Sequence, residues 1–179
     1  MSSASPAPSP LLSAEGAGEA LWFLGTLAIV RVPGEAVEER FALMEFLLPH
    51  GASPPLHTHP QDESYVLLEG RMSVQAGDQV VELEPGAVMV VPRGVAHSFA
   101  VDSDTAHVLI LSTPAGIERF VRDGSVPATT AAPPPPDAPR PSPAELDAIF
   151  AAHECVTVGP RLAGDRAGLR GSSKPLTNR

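Results

Sequence analysis

Short apolar runs bounded by turn residues fill the middle of the chain. Leu21–Arg31, Phe41–Leu48, Glu63–Glu69, Arg71–Ala76, Gln79–Leu83, Ala87–Val91, His97–Val101 and Thr105–Ser112 are rich in Val, Leu and Phe. Pro33-Gly34, Pro49, Gly51, Gly70, Gly77-Asp78, Pro85-Gly86, Pro92 and Gly94 separate them. Many short strand-like runs at even spacing, with no helical period among them, predict an all-β sandwich or barrel. Gly77-Asp78, set between Met72-Ser73-Val74 and Val80-Val81-Glu82-Leu83, predicts a hairpin turn. Two short helices are expected after the strands. Thr113-Pro114 reads as an N-cap with proline at the first helical position, leading Ala115–Arg122 to a stop at Asp123-Gly124. Ser142-Pro143-Ala144-Glu145 is a capping box, and Leu146, Ile149, Phe150 and His153 form a stripe that must cover part of the β domain.

Composition divides the chain further. Residues 1–20 are rich in Ser, Pro and Ala and read as a flexible or dimer-strapping arm. Residues 21–124 hold the β domain, 125–141 a stiff Pro-rich linker, and 142–179 a C-terminal helix and tail. Lys and Arg number 12 against 21 Asp and Glu, a formal net charge of −9, which argues against a nucleic-acid surface or an anionic membrane. The longest apolar stretch, Trp22 to Val30, falls well short of the roughly 20 residues a spanning helix needs. No basic start of a secretory signal precedes Arg31, so the expected location is the cytoplasm. Cys155 is the single cysteine, which excludes an internal disulfide and a Cys-based zinc site.

The chemistry is concentrated in GASPPLHTHPQDESYVLLEG, residues 51–70. On an extended strand the imidazoles of His57 and His59 point to one side. Pro60-Gln61-Asp62 permits a bend that returns the Glu63 carboxylate to that side, and downstream Pro92 and Gly94 turn the chain into a strand opened by His97. Three imidazoles and one carboxylate are a ligand set for a divalent first-row metal. An HxH pair alone is more often a pair of surface or hydrogen-bonded core histidines than a ligand pair; the spacing of the whole set singles this one out. His50, His107 and His153 have no such partners and are expected to be structural.

That spacing resembles the cupin superfamily. Gly51, His57, His59, Glu63 and Gly70 fit its first motif without a gap, and Gly86, Pro92, Gly94 and His97 fit its second, in which Val101 stands where the family has Asn. The resemblance implies a double-stranded β-barrel, or jelly roll, with short C-terminal helices. It also implies one divalent transition metal ion (Fe, Mn, Ni, Co, Cu or Zn) held by His57, His59, Glu63 and His97. The order of the flanking segments WFLGT, PAGIERF and VGPRL is similar to bacterial quercetinase-like cupins, which are flavonol dioxygenases and their relatives.

The expected activity is therefore a metal-dependent oxygenase acting on an enolic or phenolic small molecule, such as a flavonol or polyketide, with dioxygen as co-substrate and Glu63 as the catalytic base. Four protein ligands in an octahedral shell leave two positions for water, dioxygen or a chelating substrate. The alternatives are an isomerase, lyase or cyclase that uses the metal only as a Lewis acid, or a non-catalytic module that binds metal and small molecule. Strand alternation puts Tyr65 and Leu67 on the face of Glu63, and Phe99 and Val101 on the face of His97. With Met44 and Phe46 these form the candidate substrate pocket, for which core packing is the competing role. A homodimer is expected, the arm with Leu11, Leu12 and Leu21 covering a neighbour's edge.

Overall fold

The computed structural model describes residues 10–162. The first nine residues of the expected arm and residues 163–179 of the expected tail lie outside the described residues. The strands are β1 (Glu19–Phe23), β2 (Thr26–Val32), β3 (Ala42–Pro49), β4 (Pro55–Thr58), β5 (Asp62–Glu69), β6 (Met72–Ala76), β7 (Gln79–Leu83), β8 (Val88–Val91), β9 (His97–Val101), β10 (Thr105–Thr113), β11 (Ser125–Pro127) and β12 (Val156–Arg161). Among the described residues two helices, α1 (Ile117–Asp123) and α2 (Pro143–Ala152), and one 3-10 turn at Gly34–Val37 accompany the strands. The strands form a jelly roll of two antiparallel sheets, β11-β1-β2-β3-β10-β5-β8 and β12-β4-β9-β6-β7. Among the described residues no helix is long and apolar enough to cross a membrane.

Alternation decides which side chains fill the roll. In β3 every second residue is buried, which turns Ala42, Met44, Phe46 and Leu48 inward and Leu43, Glu45 and Leu47 outward. On β5 the inward set is Glu63, Tyr65 and Leu67, and on β10 it is Ala106, Val108, Ile110 and Ser112. Met72 and Val74 of β6 and Val101 of β9 close the same core from the second sheet. Each fully buried aliphatic or aromatic side chain contributes on the order of 1.5–3 kcal/mol. The register is thus firmly set, because slipping β5 by one residue would expose Tyr65 and Leu67 together.

The Gly77-Asp78 turn forms as expected, with Ala76 opposite Gln79. Three local departures from the sequence reading have physical causes. The run Leu21–Arg31 is two strands, because Leu24 and Gly25 adopt positive φ (48° and 93°) and close a two-residue turn between Phe23 and Thr26. The first helix starts at Ile117 rather than after Thr113, because Thr113 stays in the sheet opposite Asp62. Its N-cap is Gly116, whose N–H donates to Glu118 Oε2 at 2.7 Å. The linker and tail also carry strands: β11 pairs with β1, and β12 pairs with β4, with Thr157 opposite His57.

The second helix has the expected capping box, in which Glu145 N–H donates to Ser142 Oγ and Ser142 N–H donates to the Glu145 carboxylate. Its stripe meets α1: Phe150 packs edge-on against Phe120 with ring centroids 5.1 Å apart, and His153 Nε2 lies 2.7 Å from Asp123 Oδ2. Trp22 Nε1 donates to the Ala132 carbonyl at 3.0 Å and ties the Pro-rich linker to the roll.

Candidate metal centre

His57 lies on β4, which pairs with β9 so that His57 stands directly opposite His97. His59 lies one residue beyond the end of β4, where the chain bends through Pro60 and Gln61 into β5. Two contacts hold this bend against the β8–β9 turn. Gly94 N–H donates to the His59 carbonyl at 3.1 Å. Asp62 accepts from both the main chain and the guanidinium of Arg93, at 2.8, 3.1 and 2.7 Å. The two motif segments, some thirty residues apart in sequence, are thus clamped together at the site.

The result is a converging cluster. One ring nitrogen from each of His57, His59 and His97 lies within 4.8 Å of the other two, and the ring centroids are 4.4–5.6 Å apart. Two imidazole nitrogens on one ion at about 2.1 Å sit roughly 3 Å from each other when their bonds are at right angles, so small rotations bring these rings to bonding distance. The outer nitrogens of two rings are already committed: His57 Nδ1–H donates to the Pro55 carbonyl at 2.8 Å and His97 Nδ1–H to the Val95 carbonyl at 2.9 Å. Carbonyl acceptors at Nδ1 fix the tautomer that leaves Nε2 as a ligand atom, the arrangement metal-bound histidines use. Nε2 of His97 and both ring nitrogens of His59 are buried with no hydrogen-bond partner. Buried polar atoms of this kind are rare unless something occupies the space between them. The residues therefore fit a divalent transition metal.

Glu63 faces the same space from β5. Its Oε2 is 3.3 Å from His97 Nε2 and 4.0 Å from His59 Nε2, and it accepts the hydroxyl proton of Tyr65. Burial pushes the Glu63 carboxyl up, but the neighbouring His97, His59 and Tyr65 outweigh it and hold the group down to about 2. Burial lowers the His57 ring to about 4, with His97 adding to the effect. His59 is also lowered by burial, partly offset by Glu63. In His97 burial acts in the same direction, yet the contact with Glu63 wins and raises it. Burial and the Glu63 charge push the Tyr65 phenol well above its usual value, so it remains a donor. At neutral pH His57 and His59 are neutral, as metal ligation requires.

The candidate pocket residues Met44, Phe46, Tyr65, Leu67 and Val101 all belong to the buried core, and Phe99 packs against that core with its ring 6.3 Å from that of Tyr65. His107 and His153 pair with Glu45 and Asp123, and His50 Nδ1 lies 3.1 Å from the Ser103 carbonyl. Burial, with Glu63 adding, pushes the Cys155 thiol up to about 12, so it stays protonated. Outside the roll, a cleft of about 300 Å³ adjoins the bend, lined among others by Gln61, Phe120, His153 and Cys155. None of the three clustered histidines lines it. The sequence reading missed Gln61, whose amide is inserted at this bend, and the Asp62–Arg93 clamp; neither follows an alternation or a spacing rule.

Comparison with known proteins agrees with this architecture. Residues 44–114 match the cupin domain family. An uncharacterized protein of Streptomyces coelicolor is 31% identical over 77 residues, which are 43% of this chain and 73% of that protein. The polyketide cyclase RemF from Streptomyces resistomycificus superposes with a TM-score of 0.51 at 23% identity, over 59% of this chain and 80% of that one. An RmlC-like cupin from Shewanella frigidimarina superposes with a TM-score of 0.50 at 15% identity, over 56% and 88% of the two chains. These two likenesses concern the fold. With its jelly roll, its matching domain and its three converging histidines, this chain belongs to the cupin family.

Proposed function

We propose that the chain is a metal-dependent oxygenase, resembling flavonol dioxygenases, that acts on an enolic or phenolic small molecule. The observation that carries this reading is the Glu63 carboxylate, which lies within 4.0 Å of two of the clustered histidines and takes a hydrogen bond from a buried phenol. In it, His57, His59, His97 and Glu63 hold one divalent ion. When bound, the ion supplies Lewis acidity toward an enolate oxygen and, if redox-active, electron transfer with dioxygen.

The chain's own residues do the rest. Glu63 is ionised at neutral pH and takes the proton of the substrate hydroxyl at a carboxylate oxygen. Tyr65, donating to Oε2, fixes the orientation of that carboxylate. Burial of both groups excludes water from the proton transfer. In this reading the uncharged side chains Met44, Phe46, Leu67, Phe99 and Val101, which belong to the core or pack against it, would line the space for a neutral hydroxylated ring. The partners in this reading are the small molecule, dioxygen and, in the homodimer expected from the sequence, a second copy of the chain.

Oxygen uptake against a panel of flavonols and polyketide enols, after metal analysis of the purified protein, tests it. Consumption of dioxygen in step with substrate loss, abolished by a chelator, is the expected result. Turnover that continues under strict anaerobiosis would replace the oxygenase with an isomerase, lyase or cyclase. Saturable binding without turnover in either condition would make the chain a binding module.

A further inference from the structure

We propose that Gln61 is the positioning residue of the histidine cluster, its side-chain amide oxygen accepting the Nδ1 proton of His59 and so presenting Nε2 of that ring inward. This deepens the metal-binding reading of the site and rests on it.

The three rings are not oriented alike. His57 and His97 each donate from Nδ1 to the carbonyl two residues back, Pro55 on β4 and Val95 in the turn before β9. His59 has no such bond, because it stands past the end of β4 where the chain turns away. Yet the residue is only 4% exposed, and neither ring nitrogen has a hydrogen-bond partner. A neutral imidazole carries one N–H that needs an acceptor and one lone pair that needs a donor or a metal. His59 Nε2 lies on the Glu63 side, 4.0 Å from Oε2, so Nδ1 faces the bend.

On that bend sits a second unmatched atom. Gln61 Oε1 is buried and accepts no hydrogen bond. An unpaired donor and an unpaired acceptor two residues apart across a tight bend satisfy each other after a rotation of the amide. The other end of the amide is confined by α1: a Cβ added at Gly116 would lie 2.7 Å from Gln61 Nε2. Glycine there, at φ +147°, makes room for the amide. Both the main-chain carbonyl and the side chain of Gln61 lie beside the His59 ring, so the test has to separate the two.

Nitrogen-15 imidazole correlation spectra of the metal-free protein read the tautomer directly. In the native chain His59 is expected in the Nδ1–H form, matching His57 and His97; in Gln61→Ala the Nε2–H form should become prominent for His59 alone. Zinc affinity, measured by competition with a chelator, should fall about 10–100-fold in Gln61→Ala. Gln61→Glu keeps an acceptor oxygen and should hold affinity within about threefold of native. If Gln61→Ala changes neither the tautomer nor the affinity, the main-chain carbonyl suffices and the proposal is overturned. Equal losses in Gln61→Glu and Gln61→Ala would overturn it too. A native protein that takes up no zinc would sink the metal reading instead, while the tautomer spectra would still decide the role of Gln61.

Discussion

Two glutamates in this molecule are buried, and they are built for opposite purposes. Glu118 is wholly enclosed at the start of α1, where Oε2 accepts the N–H of Gly116. Arg119 lies 3.8 Å away and is itself paired with Glu39. Glu63 is nearly as enclosed, but it is surrounded by His59, His97 and Tyr65, groups that gain, lose or share protons. Burial of a carboxylate is therefore not the mark of a site. The difference lies in the partners: a main-chain N–H can only hold Glu118 still, whereas imidazoles and a phenol leave Glu63 with alternatives in protonation and ligation.

Glu63→Gln should break the functional half of this contrast most severely. Turnover is expected to fall about 10²–10⁴-fold, the range removed with a general base, while metal content falls far less. Parallel loss of metal and turnover would reduce Glu63 to a ligand alone. Glu118→Ala should do the reverse. Leaving the buried N–H of Gly116 unpaired costs about 2 kcal/mol of folding stability, read in a denaturant titration, with turnover per folded molecule unchanged.

The folds of the two regions were not equally legible in the sequence. Period-two alternation of an extended segment was enough to put His57 and His59 on one side, although β4 stops at Thr58, and the inward set of β5 followed from the same rule. The placement of His57 opposite His97 could not, because it depends on pairing two strands some forty residues apart. Leu24-Gly25 hid a hairpin inside an apolar run, since leucine at positive φ carries no turn signature. β12 was hidden in the tail for another reason: it adds to a sheet edge, and five of its six residues stay exposed, so no buried stripe announces it. Gln61 was hidden because its role comes from one unmatched atom rather than a pattern.

A smaller test sharpens the electrostatic side of the comparison. Glu63 holds His97 above its ordinary value in the metal-free protein, so metal must displace a proton there. Affinity should therefore be highest above the raised His97 pKa and fall by about tenfold per pH unit below it, with proton release visible in calorimetry across buffers of different ionisation enthalpy. No counterpart is expected at Glu118, which touches no imidazole.

The smallest effect is expected at the clamp. Arg93 holds the half-buried Asp62 carboxyl down to about 2, below its usual 3.8. A carboxylate whose value is depressed by folding contributes stability that is full above the unfolded value and is lost as pH falls from there toward 2. Arg93→Ala should flatten that acid limb of the stability profile slightly and loosen metal binding without abolishing it.

The central claim is that His57, His59 and His97 present three nitrogens to one ion, with Glu63 beside them. X-ray absorption at the metal edge, on protein carrying a measured amount of metal, tests it most directly. One ion per chain with three imidazole nitrogens at roughly 2.1 Å and a carboxylate oxygen is the predicted result. Protein that retains no stoichiometric ion, or a spectrum without imidazole scattering, would contradict it.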